Sequence, residues 1–154
     1  MSGSHIFIIT IGEKMMARKF PDINVSFPGG KKVDAQFNDF TIQTDQPIAD
    51  GGGGTAPAPY ILFLSSLATC AGIYVLGFCQ AREIDTTGIS ITQSHEFVAD
   101  GPKAKRLGKV GIQINVPPSF PQKHYATLVR VAEQCAVKKV LENPPEFVVE
   151  TVVT

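Results

Sequence analysis

The sequence predicts an α+β fold in which antiparallel strands surround a long buried central helix, with a second helix towards the C-terminus. The uncharged apolar stretch 55–81 is long enough for about seven helical turns. Segments on both sides of it alternate apolar and polar residues, as strands with one covered face do. The stretch 121–141 spaces its apolar residues by three and four, which is typical of an amphipathic helix.

Length and charge limit the possible classes of protein. A chain of 154 residues is expected to form a single domain, 1–154. Its 14 basic and 14 acidic side chains cancel, which argues against a nucleic-acid partner because such proteins carry a basic face. Only 18% of the residues are charged while 44% are hydrophobic, and this balance favours a large subunit interface.

The cysteine count and the first residues suggest a compartment. Three cysteines without the spacing of a disulfide scaffold are typical of a reduced, cytoplasmic protein. The N-terminal segment has neither the basic region nor the cleavage pattern of a signal peptide. We therefore expect a cytoplasmic location.

The chain before the central helix is expected to form an antiparallel meander. Pro28-Gly29-Gly30 is a turn signal between two of its strands. The glycine-rich segment 45–54 lacks the lysine of a phosphate-binding loop and the spacing of a dinucleotide fingerprint, so we interpret it as a flexible connection. The predicted strands are 6–11, 24–27, 31–37 and 39–44.

The central stretch 55–81 allows two interpretations, a buried helix and a membrane span. Thr55 can cap a helix, and Pro57 or Pro59 suits a first helical turn. A membrane span is the alternative, since the stretch is apolar all round. Polar and small residues such as Ser65 and Gly72 interrupt it, and its flanks show no one-sided basic charge, so we expect a buried helix in a soluble protein.

The chain after the central helix is expected to hold a hairpin, a helix and a last strand. Residues 89–98 and 106–116 alternate and are separated by a turn signal. Pro121 suits the first turn of the second helix, which should run to about Leu141. A closing strand is predicted at 147–153.

The chemistry that the residues suggest depends on the cysteines. Cys70 lies in the central helix and Cys135 on the apolar face of the second helix, so the two could approach the roughly 5.5 Å Cα separation of a disulfide. Cys79 follows Cys70 by two and a half turns and should point the opposite way. A redox pair and simple packing of buried cysteines both remain open on this pattern.

Other site chemistries find little support in the sequence. The histidines His5, His95 and His124 are scattered, and no cysteine pair has metal-ligand spacing, so we expect no metal. Ser65-Ser66 lies within a predicted helix and lacks the nucleophile elbow of a serine hydrolase.

Two segments resemble a known family. The stretch VDAQFNDFTIQTDQPIADGGGGTAPAPYILFLSSLATCAGIYV is similar to the OsmC/Ohr family, and VAEQCAVKKVLENPPEF resembles the second cysteine segment of that family. The resemblance covers most of the chain from about Lys31 onward. The resemblance favours a redox pair of Cys70 and Cys135 over simple packing of buried cysteines.

The resemblance implies a specific activity and assembly. Members of the family are intertwined homodimers of α+β subunits that reduce organic hydroperoxides through two cysteines, without a cofactor. By motif, Cys70 would be the peroxidatic cysteine and Cys135 the resolving one. The implied partners are a second copy of the chain, an organic hydroperoxide or other hydrophobic small molecule, and an external dithiol reductant.

The sequence departs from the family at the position that should help to activate the thiol. Peroxidases of the family place an acidic residue ten positions before the cysteine, where it orients an arginine that lowers the thiol pKa. Tyr60 stands at that position here, and Arg18 is the candidate for the arginine. The alternatives are a non-peroxidatic protein that binds a hydrophobic ligand and a dimer with a structural or interaction role.

Overall fold

A computed structural model describes residues 20–102 and 104–153. The α+β fold class predicted from the sequence is confirmed, with antiparallel strands and one long helix. The chain divides into two compact units, one up to Pro59 and one from Tyr60 onward. The predicted strand 6–11 and the candidate Arg18 lie outside the described residues.

The first unit contains a three-stranded antiparallel sheet. Its strands are β1 (Asn24–Gly29), β2 (Lys32–Phe37) and β3 (Phe40–Ile42), in the order β1-β2-β3. Val25 pairs with Ala35, and Gln36 pairs with Thr41. The predicted meander is confirmed in this part of the chain, because turn residues separate strands that alternate in sequence.

A buried carboxylate organises the glycine-rich loop of the first unit. Asp45, which is 1% exposed, accepts hydrogen bonds from the backbone N–H groups of Gln46 (2.8 Å), Gly53 (3.1 Å) and Thr55 (3.1 Å). The Thr55 hydroxyl donates to the same carboxylate at 2.9 Å. The backbone hydrogen bond from Thr55 is the largest of the effects that lower the pKa of Asp45 to about 2.

The glycines of this loop are required by its close contacts. A Cβ at Gly52 would lie 1.9 Å from the Gln46 carbonyl oxygen, and Gly54 has a φ of 60°. The interpretation of 45–54 as a flexible connection is therefore wrong, because these contacts define one conformation. Thr55 binds Asp45 and does not begin the helix, which starts four residues later.

The second unit combines one long helix, a hairpin and two short helices. Ile91 pairs with Ile114 across the hairpin. The helices are α1 (Pro59–Gln80), α2 (Tyr125–Ala132) and α3 (Ala136–Glu142), with a 3-10 turn at Gln122–His124, and the strands are β4 (Ser90–Ala99) and β5 (Lys105–Asn115).

Helix α1 supplies most of the core of this unit, but from one face only. Leu128 of α2 and Phe120 pack into the same cluster. Ile73 is 65% exposed on the other side of the helix, so the prediction of a helix buried all round is wrong for the chain by itself. The residues that α1 buries are Leu64, Leu67, Ala71, Val75, Phe78 and Cys79.

Helix α1 is long and apolar enough to cross a membrane, and it is the one such helix among the described residues. The core helix of a soluble protein meets the same criterion of length and composition. Its buried face packs on the hairpin and on α2, which is the arrangement expected of a core helix.

The predicted second helix is broken into two. The amphipathic pattern of 121–141 predicted one helix, whereas α2 ends at Ala132 and α3 begins at Ala136. Cys135 lies between them with φ −45° and ψ 120°, outside the helical region, and its sulfur accepts a hydrogen bond from the Lys138 N–H. The prediction of one continuous helix is therefore wrong, because Cys135 caps a new helix.

The predicted last strand is also absent from the described residues. Residues 143–153 form neither helix nor strand. Phe147, Val149 and Val153 are 83%, 94% and 96% exposed. A strand needs a neighbour for its backbone hydrogen bonds, and none lies beside this segment in the part of the chain that the structure describes.

Replacing Asp45 with asparagine should destabilise the first unit. The amide cannot accept all four hydrogen bonds as a carboxylate does, so we expect the melting temperature at pH 7 to fall by several degrees. Because the folded pKa of Asp45 lies below the unfolded value, its contribution is present above about pH 4. It is lost as the pH falls towards 2, where wild type and variant should melt alike.

Thermal melts from pH 2 to pH 7 measure this difference. Asp50→Asn is the matched control, since Asp50 is an exposed carboxylate of the same loop. Equal melting temperatures for wild type and Asp45→Asn at pH 7 would contradict the role given to Asp45.

Candidate functional site

The structure brings together the two cysteines that the sequence singled out. Cys70 lies in the middle of α1 and is partly exposed, while Cys135 lies between α2 and α3 and is 1% exposed. Both are free thiols, and they lie near enough for each to shift the pKa of the other. Two neighbouring thiols are the arrangement that disulfide chemistry requires.

The break before α3 places the Cys135 sulfur against α1. The Cys135 thiol donates to the backbone oxygen of Leu67 at 3.8 Å, one turn before Cys70. The same sulfur accepts from the Lys138 N–H at 3.4 Å. The S–H group of Cys135 thus has the Leu67 carbonyl of α1 as its acceptor.

The surroundings of Cys70 favour its thiolate. Burial raises the pKa of the Cys70 thiol, but hydrogen bonds from the backbone of Val137, the Cys135 thiol and the backbone of Ala136 outweigh it. The net effect is a pKa of Cys70 below its ordinary value. A lowered pKa increases the fraction of thiolate, which is the nucleophilic form.

The surroundings of Cys135 act in the opposite direction. Burial raises the pKa of Cys135, and the hydrogen bond to Cys70 and the charge of the Cys70 thiolate raise it further. The backbone hydrogen bonds from Lys138 and Val137 offset this only in part. The pair therefore favours one thiolate, at Cys70, and one protonated thiol, at Cys135.

The remaining predicted site residues lie elsewhere. Cys79 is fully buried in the core, and burial raises its pKa, as expected for a packing residue. Arg18 lies outside the described residues. Tyr60 is 46% exposed, and its ring contacts Phe63 and Phe97.

Sequence reasoning missed the two backbone groups that face Cys70. The N–H groups of Val137 and Ala136 begin α3, and they are free to point at a thiolate because the helix starts there. Neither proline nor glycine marks a helix break near Gln134. The amphipathic pattern continues through the break, so no signal in the sequence locates it.

An apolar groove of about 340 Å³ lies between α1 and β4. Gly72 lines it, two residues after Cys70 and therefore on nearly the opposite side of the helix. The groove is thus separate from the two thiols. Its lining residues are Ala68, Thr69, Gly72, Val75, Leu76, Thr86, Ile89, Ser90 and Ile91.

The fold and the paired thiols define a class of α+β proteins with two converging cysteines. The model of the family described as OsmC-like protein matches residues 51–150, which is more than half of the chain and includes both cysteines. The chain therefore belongs to the OsmC-like family. No curated protein matches the sequence.

Solved structures with the same fold agree with this assignment. An osmotic stress induced and detoxification response protein from Psychrobacter arcticus 273-4 is 25% identical, with a TM-score of 0.65 over 79% of this chain and 88% of that one. The organic hydroperoxide resistance protein OsmC from Legionella pneumophila is 20% identical, with a TM-score of 0.57 over 82% and 92%. An OsmC-like protein from Mycoplasma pneumoniae is 16% identical, with a TM-score of 0.63 over 82% and 90%.

Removing the backbone N–H of Ala136 should raise the pKa of Cys70. Ala136 is the first residue of α3, where proline is well tolerated, and Cys135 has the extended conformation that a residue before proline prefers. In Ala136→Pro the thiolate loses one donor, so alkylation of Cys70 should reach half of its maximal rate at a higher pH than in wild type.

The pH dependence of iodoacetamide labelling, followed by mass spectrometry of the Cys70 peptide, measures this shift. Ala136→Ser keeps the N–H and is the control. An unchanged midpoint in Ala136→Pro, with the fold intact by circular dichroism, would contradict the role of this backbone group.

Proposed function

We propose that the protein is a cysteine-based enzyme, a thiol-dependent peroxidase that reduces organic hydroperoxides through Cys70 and Cys135. The observation that carries this proposal is the placement of the Cys135 sulfur against α1, one turn before Cys70, together with the opposite pKa shifts of the two thiols. A nucleophilic thiolate beside a protonated thiol is the reduced state that a two-cysteine peroxidase needs.

The proposed reaction has three steps: reduction of the peroxide, formation of a disulfide, and reduction of that disulfide. The Cys70 thiolate attacks the terminal oxygen of the hydroperoxide, the O–O bond breaks, and the alcohol leaves with a proton from solvent. Cys70 is then a sulfenic acid. Cys135 attacks that sulfur, forming the Cys70–Cys135 disulfide and releasing water. An external dithiol then reduces the disulfide by exchange and is itself oxidised.

The position of Cys135 suits the resolving role. It is 1% exposed, so an external thiol reaches it poorly, whereas the partly exposed Cys70 is open to a peroxide. The fold relative from L. pneumophila carries the description organic hydroperoxide resistance protein, which is consistent with this chemistry in the family. Three cysteines without the spacing of a disulfide scaffold support a cytoplasmic location.

A homodimer is part of the proposal. Exposed apolar residues of α1, such as Ile73 at 65% and Leu76 at 39%, continue the apolar surface beyond its buried face. The C-terminal residues Phe147 and Val149 are also exposed. A second copy would cover these surfaces, because monomeric soluble proteins rarely expose contiguous apolar patches of this kind.

A second candidate function is the binding of a hydrophobic small molecule without turnover. The apolar groove between α1 and β4 has a volume within the range of ligand sites, and it favours this alternative. Tyr60 in place of the acidic residue favours it as well, since the activating pair of the peroxidases would be incomplete. In that case the cysteines would only pack or form a passive disulfide.

Replacing each cysteine should separate the two candidate functions. With dithiothreitol as reductant and cumene hydroperoxide as substrate, Cys70→Ser should fall to the uncatalysed rate, because no thiolate attacks the peroxide. Treated with cumene hydroperoxide before dithiothreitol is added, Cys135→Ser should stop at the sulfenic acid of Cys70, because no second thiol forms the disulfide. Dimedone labelling and intact mass, together with the rate of peroxide loss, measure these outcomes.

Cys79→Ala is the control, since Cys79 lies in the core and away from the pair. Equal peroxide consumption in wild type and Cys70→Ser would exclude the peroxidase. A rise in melting temperature with a fatty acid, in the absence of turnover, would support the binding protein.

A charge on the exposed face of α1 should prevent dimer formation. Ile73→Lys would bury an unpaired ammonium group between two copies, so a monomer is expected in sedimentation velocity where wild type is a dimer. Ser119→Lys, which adds the same charge in an exposed loop, should remain dimeric. A monomeric wild type at micromolar concentration would contradict the proposed assembly.

A further inference from the structure

Helix α3 is short and exposed. It has seven residues, Ala136–Glu142, and none of them is buried in the part of the chain that the structure describes. Val140 and Leu141 are 52% and 48% exposed. A helix of this length is not stable by itself in water, because its few hydrogen bonds do not offset the entropy lost in forming the first turn. The formation of α3 therefore depends on the contacts at its ends.

The first turn of α3 is held by Cys135. Its sulfur lies between two elements, since it accepts the backbone N–H of Lys138 at 3.4 Å and the thiol donates to the Leu67 carbonyl of α1 at 3.8 Å. The ion pair between Lys138 and Glu142, at 3.5 Å, joins half-exposed side chains and contributes little. One side chain thus caps α3 and fastens it to the long helix.

Oxidation of the two cysteines changes these contacts. In a Cys70–Cys135 disulfide the Cys135 sulfur is bonded to the Cys70 sulfur and carries no proton. The hydrogen bond to the Leu67 carbonyl is then lost, since it needs that proton. The negative charge of the Cys70 thiolate, which favours the first N–H groups of α3, disappears as well. The disulfide form therefore holds α3 less firmly than the reduced form does.

We propose that α3 is a redox-controlled cover over Cys135, which the two thiols hold closed and which loosens when they form a disulfide. Its role in the reaction cycle rests on the proposed peroxidase function. Opening lets an external dithiol reach a sulfur that is 1% exposed in the reduced protein. One thiolate of the dithiol attacks the Cys135 sulfur, the S–S bond breaks, and Cys70 leaves as the thiolate. The second thiol then releases Cys135, which takes its proton, and the dithiol departs as a cyclic disulfide.

The direction of this attack follows from the acidity of the two thiols. Thiol–disulfide exchange is faster when the thiol of lower pKa leaves. The pKa of Cys70 is lowered and that of Cys135 is raised, so attack on Cys135 with departure of Cys70 is preferred. A closed α3 would block this direction, and an open α3 allows it.

Hydrogen exchange of the α3 amides tests the cover without any peroxide. Diamide forms the disulfide by accepting two electrons from the thiols and taking up two protons, and intact mass confirms the product. Exchange in α3 should then be roughly two- to tenfold faster than in the reduced protein, the range expected for a lost helix cap. Exchange in α2 should not change, because Leu128 and Ala132 anchor that helix in the core.

Two substitutions of Cys135 separate the cap from the cross-link. Serine is a preferred N-cap residue, whereas alanine has no side-chain acceptor. Without oxidant, Cys135→Ala should show the faster α3 exchange of the disulfide form, and Cys135→Ser should remain as protected as reduced wild type. Neither variant should respond to diamide in α3, because neither can form the disulfide.

The consequence for the cycle is measured as the rate at which dithiothreitol reduces the diamide-oxidised protein. Lys139 is an exposed residue in the middle of α3. Lys139→Gly and Lys139→Ala remove the same charge, but glycine is the weaker helix former. Reduction should be roughly two- to fivefold faster in Lys139→Gly than in Lys139→Ala, since α3 opens more often.

The results distinguish the cover from the proposed peroxidase. Equal α3 exchange in the reduced and disulfide forms, or a chain in which diamide forms no Cys70–Cys135 disulfide, would overturn the proposal. An equal acceleration in α2 would also overturn it, since the whole unit would then have loosened. Equal reduction rates for the two Lys139 variants would exclude α3 as the barrier to the reductant. If α3 loosens on oxidation but wild type consumes no hydroperoxide beyond the Cys70→Ser rate, the peroxidase function fails and the redox response of α3 stands.

Discussion

The contact of Cys135 with α1 is the interaction on which the candidate site depends. Its thiol donates to the Leu67 carbonyl of α1, one turn before Cys70, and its own sulfur caps α3 through the Lys138 N–H. A continuous helix would direct the backbone N–H groups of that region into its own hydrogen bonds. The break at Cys135 therefore places a protonated thiol and free backbone donors beside one sulfur atom.

The hydrogen-bond donors around Cys70 can take over the role of the acidic residue that Tyr60 replaces. Activation of a thiol requires positive potential near the sulfur, and partial charges on backbone N–H groups can provide it as a cation does. The N–H groups of Val137 and Ala136 face Cys70 and lower its pKa against the cost of burial.

The two units depend on different kinds of constraint. In the first unit one carboxylate, Asp45, holds the loop from Gln46 to Thr55, and glycines are required where the backbone approaches itself. In the second unit the packing of α1 on the hairpin and on α2 decides which side chains are buried. A specific polar interaction thus defines the loop, whereas apolar burial defines the helix.

The sequence by itself determined the α+β class, most of the strands and helices, and the choice of Cys70 and Cys135 as the residues of interest. Alternation and helical spacing are local signals, and they located β2, β5 and α1 to within a few residues. The opposite orientation of Cys79 also followed from helical geometry alone.

The tertiary structure decided what local patterns cannot encode. At the break, Cys135 contacts Leu67, a residue more than sixty positions away in the chain. The absence of a strand at 147–153 has a similar cause, because a strand is defined by its neighbour and not by its own residues. Backbone groups that face a thiol, and rings that meet across α1 and β4, exist only once the chain has folded.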